Sequence, residues 1–142
     1  MSLSAKTEYA CLAVLTLASH YGSGEPVRVR TIADLHGIPS PFLVQILLQL
    51  KGAGVVESTR GAAGGYRLVR DPEQLTMGEV VDLMEGGGGE VQSSASNRTP
   101  GVDAILEVWQ EAVSAQRQML ANITFAQLVE RSRGSAERMY YI

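Results

Sequence analysis

Apolar positions recur at three- to four-residue steps near the start of the chain. Leu3, Tyr9, Leu12, Leu15, Leu17 and Ala18 supply a wide apolar face among good helix formers, so residues 3–21 are predicted to be helical. GSGEP (22–26) stops that pattern. Val27 and Val29 alternate with Arg28 and Arg30, which predicts a short extended stretch. Thr31 reads as the N-cap of a short helix, TIADLH, with Asp34 three residues on and Gly37 at its end. Ser40 as N-cap and Pro41 in the first turn open the next helix, which runs to about Lys51 with Leu43, Ile46, Leu47 and Leu50 on one face. VVEST (55–59) and YRLV (66–69) read as two strands around the turn RGAAGG (60–65). Thr76 with Glu79 forms a capping box for a helix over 77–85.

A polar stretch beginning with four glycines, GGGGEVQSSASNRTPG (86–101), cannot hold a core. Beyond it Val102, Ile105, Trp109, Ala112, Gln116, Met119 and Ile123 follow one another at alternating steps of three and four. This is a heptad seam on a long helix, widened by Leu106, Val113 and Leu120. A single small domain leaves much of so long a stripe uncovered. Dimerisation through 102–123 is therefore expected, with packing inside the monomer as the other option, and Gln116 would set register. Thr124 with Gln127 offers a capping box for a short last helix, and residues 133–142 carry no clear pattern. The expected organisation is a folded domain over 1–85, a flexible Gly/Ser-rich linker over 86–101, and a dimerisation helix with a C-terminal tail over 102–142. The fold class is mainly α with a small two-stranded wing.

Composition changes little of this picture and charge changes more. The 142 residues are 45% hydrophobic, as in ordinary globular chains, and carry a net charge of −3. No apolar run reaches the ~18 residues of a membrane span, and the start lacks the regions of a signal peptide. The single cysteine, Cys11, has no partner for an internal disulfide, which fits a cytoplasmic protein. Residues 25–70 hold six basic residues (Arg28, Arg30, Lys51, Arg60, Arg67, Arg70) against three acidic ones, while 71–142 hold five basic against eleven acidic. A basic segment in an acidic chain suits a local polyanion contact.

Two helices joined by a glycine turn form the bihelical DNA-reading unit, and its packing demands fall on identifiable positions. Ala33 must be small where the second helix crosses, Gly37 must turn the chain, and Ile32, Ile38, Leu43 and Ile46 must fill the core. A hairpin carrying Arg60 follows at once, and its small residues allow close approach to a phosphate backbone. Arg60 would enter a minor groove; otherwise it is an incidental arginine on a plain hairpin. A nucleotide-phosphate loop is disfavoured, because no Lys-Ser/Thr pair follows the glycines and a strand comes next.

KTEYACLAVLTLA, then TIADLHGIPSPFLVQILLQLKGAGVVESTRGAAGGYRLVR, then LTMGEVVDLMEG, resembles the Rrf-two family of winged helix-turn-helix transcriptional regulators, most specifically in RGAAGGYRL directly after LKGAGVVEST. The resemblance implies a winged helix with a long dimerisation helix, acting on palindromic operators, here expected as a repressor. Carried over residue by residue, it implies DNA contact through Ser40, Pro41 and Gln45 on the recognition helix and Arg60 on the wing. Arg28, Thr31, Gly64, Gly65 and Tyr66 complete the candidate DNA-binding set. Glutamine can pair with adenine through two hydrogen bonds. Relatives often have an acidic residue just before this glutamine, where this chain has Val44. Valine either packs against a thymine methyl or stays idle, so base preference does not transfer.

Several relatives hold an iron–sulfur cluster through three cysteines between the wing-side helix and the dimerisation helix. The corresponding stretch here has none, so no metal or cofactor is expected. Glu8 aligns with a carboxylate ligand of some cluster-binding relatives, but a surface or capping role is expected, and Cys11 is expected in the core. An unusual intersubunit site would have to draw on Cys11, Glu8 and His20. The signal would then be another effector, such as a small molecule between the winged domain and the long helix. The alternative functions are a redox-sensing regulator with unusual ligands and a winged-helix protein-interaction module. His20 and His36 are isolated and show no catalytic or metal-ligand spacing, so no enzyme is expected.

Overall fold

The computed structural model describes residues 3–87 and 90–140, with side chains through residue 137. Gly88 and Gly89 of the expected linker, and Tyr141 and Ile142 of the tail, lie outside the described residues. The element order is α1 (Ala5–Ser19), α2 (Val29–His36), α3 (Ser40–Gly52), β1 (Val56–Thr59), β2 (Gly65–Leu68), α4 (Met77–Glu85), α5 (Pro100–Ala121) and α6 (Phe125–Tyr140).

Helix α1 is the hub, packed by α2, α3, α4, α6 and β2. Ser4 caps it by accepting from the Thr7 backbone N–H. Its buried side chains are mostly small: Ala10, Ala13, Val14, Leu17 and Ala18, with Thr7 and Thr16. The predicted leucine face is thus only partly correct. Tyr9, Leu12 and Leu15 are half-buried around the core, Leu3 is exposed, and Cys11 packs beside the core rather than in its centre. A helix crossed on several sides needs small residues at the crossings, and the larger side chains fill the gaps between them.

The helix-turn-helix meets every packing demand. Ile32, Ala33, Ile38, Leu43 and Ile46 are all buried, and Gly37 turns the chain in the left-handed region at φ 69°. Two boundaries differ. Ser40 is not the predicted N-cap but the first residue of α3, which follows Pro39 with no side-chain cap. Thr31 is not an N-cap but a residue inside α2, which starts at Val29 after Arg28 with no side-chain cap. Val29 packs against the core, and that contact outweighs the capping preference of threonine. Of the predicted extended stretch Val27 and Arg28 are extended, and Val29 and Arg30 are helical.

The strands pair antiparallel in the register Val56↔Leu68, Glu57↔Arg67, Ser58↔Tyr66 and Thr59↔Gly65. Val27 adds an edge to them, exchanging both backbone hydrogen bonds with Tyr66 at 2.7 and 2.8 Å. Both predicted capping boxes form, and their threonines face each other across an antiparallel bridge. There Met77 N–H donates to the Ile123 carbonyl (2.8 Å) and Phe125 N–H to the Leu75 carbonyl (2.9 Å). A Cβ on Gly78 would lie 2.9 Å from the Ala121 nitrogen, so α4 and the end of α5 approach backbone to backbone. After this staple the chain turns back. Phe125 and Val129 of α6 are buried in the common core against α1. Residues 133–140, without pattern in the sequence, continue that helix.

Candidate nucleic-acid interface

The buried side of α3 (Leu43, Ile46, Leu47, Leu50) fixes which side faces out. Ser40, Pro41, Val44, Gln45, Leu48 and Gln49 are exposed, so the three recognition-helix candidates share one accessible surface. Phe42 is anchored edge-on against Tyr9 of α1, with ring centroids 5.6 Å apart. Gln49 Nε2 donates to the Leu83 carbonyl at 3.0 Å, which ties α3 to α4. Lys51, at the other flank, donates to Ser58 Oγ of β1 at 2.7 Å. Lys51 was counted in the basic segment but not assigned to the interface. Its place on the wing side of the helix depends on the hairpin register, which the sequence pattern does not reveal.

The wing is built from inside by its glycines. A Cβ on Gly64 would stand 2.3 Å from the Thr59 carbonyl oxygen, and one on Gly65 would stand 2.4 Å from that of Val27. No other residue fits either place without moving backbone. Gly64 is buried, while Gly65 and Tyr66 are half-buried, so this part of the candidate set shapes the hairpin. Arg28 does the same from outside, its guanidinium donating to the Ala62 carbonyl at the wing tip. Arg67 pairs with Glu57 at 2.6 Å across the two strands. Arg60 and Thr31 are exposed. Within this half of the molecule, α3 and the wing tip therefore present Ser40, Gln45, Lys51 and Arg60 on helix and hairpin surfaces held by internal bonds.

Helix α5 is the other exposed surface. Thr99 caps it by accepting from Val102 N–H at 3.2 Å, and the helix begins at Pro100, two residues before the predicted start. None of its 22 residues is buried. Leu106, Val113 and Leu120 are half-buried on the side that faces α4, where Arg117 pairs with Asp82 at 3.3 Å. The other side is open: Ile105 is 71%, Met119 62% and Trp109 49% exposed, joined by Val108 at 65%. Ala112, Val102 and Ile123 are half-buried and Gln116 is exposed. Val108 lies off the heptad count, and its three-residue spacing from Ile105 was the available signal.

The residues present do not fit an iron–sulfur cluster. Cluster iron takes thiolates, and the stretch from residue 86 to 101 has no cysteine. Burial pushes the Cys11 thiol up to about 11, away from the thiolate form. Among the described residues no three His, Cys, Asp or Glu side chains come together as a metal site. His36 donates from Nε2 toward Thr16 Oγ1 (2.8 Å), since that hydroxyl already donates to the Leu12 carbonyl; burial lowers its pKa. Glu85 accepts from the Thr7 and Ser4 hydroxyls, which hold its carboxyl below the usual carboxylate range and tie α1 to α4.

Residues 3–131 match the family Rrf2, described as iron-dependent transcriptional regulator. The chain is 30% identical over 143 aligned positions to the HTH-type transcriptional regulator CymR of Bacillus subtilis, covering all of both chains. It is 33% identical over 131 residues to the HTH-type transcriptional regulator IscR of Sodalis glossinidius, covering 91% of this chain and 79% of that one. The solved structure of CymR, the global cysteine regulator of B. subtilis, matches with a TM-score of 0.79 at 27% identity, over 92% of this chain and 98% of that one.

Proposed function

Because the chain belongs to the Rrf2 family of transcriptional regulators, and so is a DNA-binding regulator in a family of regulators rather than enzymes, we propose that it binds a palindromic operator as a homodimer and acts there as a repressor in the cytoplasm. The observation that carries the dimer is α5, a 22-residue helix with no buried side chain and an open row of Ile105, Val108, Trp109 and Met119. Apolar surface of this extent on one helix is stabilised by an identical helix across a two-fold axis. That axis sets the two α3 helices about 34–36 Å apart, one turn of DNA, so that both enter the major groove on one face. Ser40, Pro41 and Gln45 then meet base edges, and Arg60 meets the neighbouring minor groove.

Among the described residues no helix is long and apolar enough to cross a membrane. The family description names iron, but the ligand set here does not support a cluster, so the signal is assigned to another effector. A cleft where α4 meets α5, lined by Thr76, Gly78, Asp82, Arg117 and Leu120, lies between the winged domain and the long helix and suits a small molecule there. Light scattering with gel-shift titration on genomic duplexes tests the core of this reading. The expected result is a dimer at micromolar concentration whose DNA affinity falls steeply with salt, through counterion release. A monomer at tens of micromolar, or DNA binding indifferent to salt, would sink it.

A further inference from the structure

The outer side of α3 carries apolar side chains that the monomer does not use. Ser40, Val44 and Leu48 follow at four-residue steps and so form one row along the helix. Val44 is 36% and Leu48 48% exposed, while Leu43, Ile46, Leu47 and Leu50 are already buried on the opposite side. Gln45 stands beside Val44 in the next row, behind Pro41. The surroundings select a polyanion over an ordinary protein surface: α3 has no acidic residue, Lys51 closes its C-terminal end, and Arg60 is exposed at the wing. Phosphates offer nothing to a valine or a leucine. The major groove does, because the thymine C5 methyl is the apolar group displayed there.

We infer that Val44, with Leu48 one turn behind it, reads thymine methyls and sets the base preference of the operator beside Gln45. This rests on α3 being the recognition helix. Gln45 favours adenine, so each half-site carries thymine next to an adenine contact. Cytosine at the same place is disfavoured, because its N4 amino group would be covered by a side chain that accepts no hydrogen bond.

The test uses the full chain and a pool of randomised duplexes. After selection, each thymine of the enriched half-site is replaced singly by deoxyuridine, which removes only the methyl. One or two positions should weaken by roughly fourfold, the value of one buried methyl. In Val44→Ala the thymine-to-deoxyuridine ratio at the first of these positions should fall to about one, with circular dichroism unchanged. Val44→Glu should shift the preference there to cytosine, whose N4 amino group a carboxylate accepts. Equal binding of thymine and deoxyuridine at every position overturns the inference and is the outcome expected if the row docks a protein instead. A ratio that survives both Val44→Ala and Leu48→Ala overturns it equally. In either case the recognition helix itself stands as long as Gln45→Ala weakens the selected duplex. A pool with no enriched sequence, or one indifferent to Gln45→Ala, removes both the inference and the reading beneath it.

Discussion

Helices α1 and α5 are both rich in apolar side chains and end in opposite surroundings. Seven of the 15 residues of α1 are buried, and none of the 22 in α5. The difference lies in the size and spacing of the apolar residues. Helix α1 carries alanines and threonines at the points where several helices cross it, so one chain can close around it. Helix α5 carries large residues, Ile105, Trp109 and Met119, on the side turned away from α4. The first pattern completes a monomer, and the second leaves an apolar row open in it.

The comparison makes five predictions, from the largest effect to the smallest. Leu17→Ala in α1 should cost about 2–5 kcal/mol of folding stability, from lost burial and a cavity, whereas Ile105→Ala in α5 should cost the isolated monomer no more than about 0.5 kcal/mol. Urea melts at a concentration low enough to separate any dimer compare the two, and equal losses would erase the distinction between the helices. Trp109→Glu should weaken self-association by about 2 kcal/mol or more, roughly 30-fold, while leaving far-UV circular dichroism intact. A dimer that persists unchanged in light scattering would place the interface elsewhere. Gln45→Ala should weaken the selected operator by about 1–3 kcal/mol and relax one base position. Arg60→Ala should lower affinity across sequences and reduce the salt slope by about one; these two exposed residues should leave both stability and self-association unchanged.

The smallest effect is a pH dependence at the contact between α2 and α1. Burial holds the His36 pKa below its ordinary value of 6.5, so the unfolded chain binds the proton more readily. Stability from this site is therefore complete above about 6.5 and declines as pH falls toward the folded value. His36→Gln removes this acid-side decline, and the difference in Tm between pH 7 and pH 5.5 should narrow by about 1 °C or less. A wider difference in the variant would reverse the sign and show that the imidazolium is favoured in the folded protein.

Within the interface the two helices of the reading unit were legible and part of the wing was not. Ala33, Gly37, Ile38 and Leu43 announce their roles because a tight helical corner admits few alternatives in size and backbone angle. Gly64 and Gly65 announce a turn, but they sit where Thr59 and Val27 carbonyls leave no room for a Cβ. That packing depends on Val27, nearly forty residues earlier. Lys51 and Leu48 were not among the candidates for a related reason: the side of α3 that stays exposed is known only once α1 and the hairpin have covered the rest.

The sequence by itself determined the order and type of the elements, both capping boxes, the glycine turn and the seam on α5. These follow from periodicity and from backbone rules that act over a few residues. Only the tertiary structure decided that α2 begins at Val29, that small residues beside Leu17, rather than Leu12 and Leu15, line the centre of α1, and that α6 runs to Tyr140 while Phe125 and Val129 return to the core. Each of these turns on contacts between segments distant in the chain, where packing free energy exceeds the few tenths of a kcal/mol, on the order of 0.5, that separate local preferences.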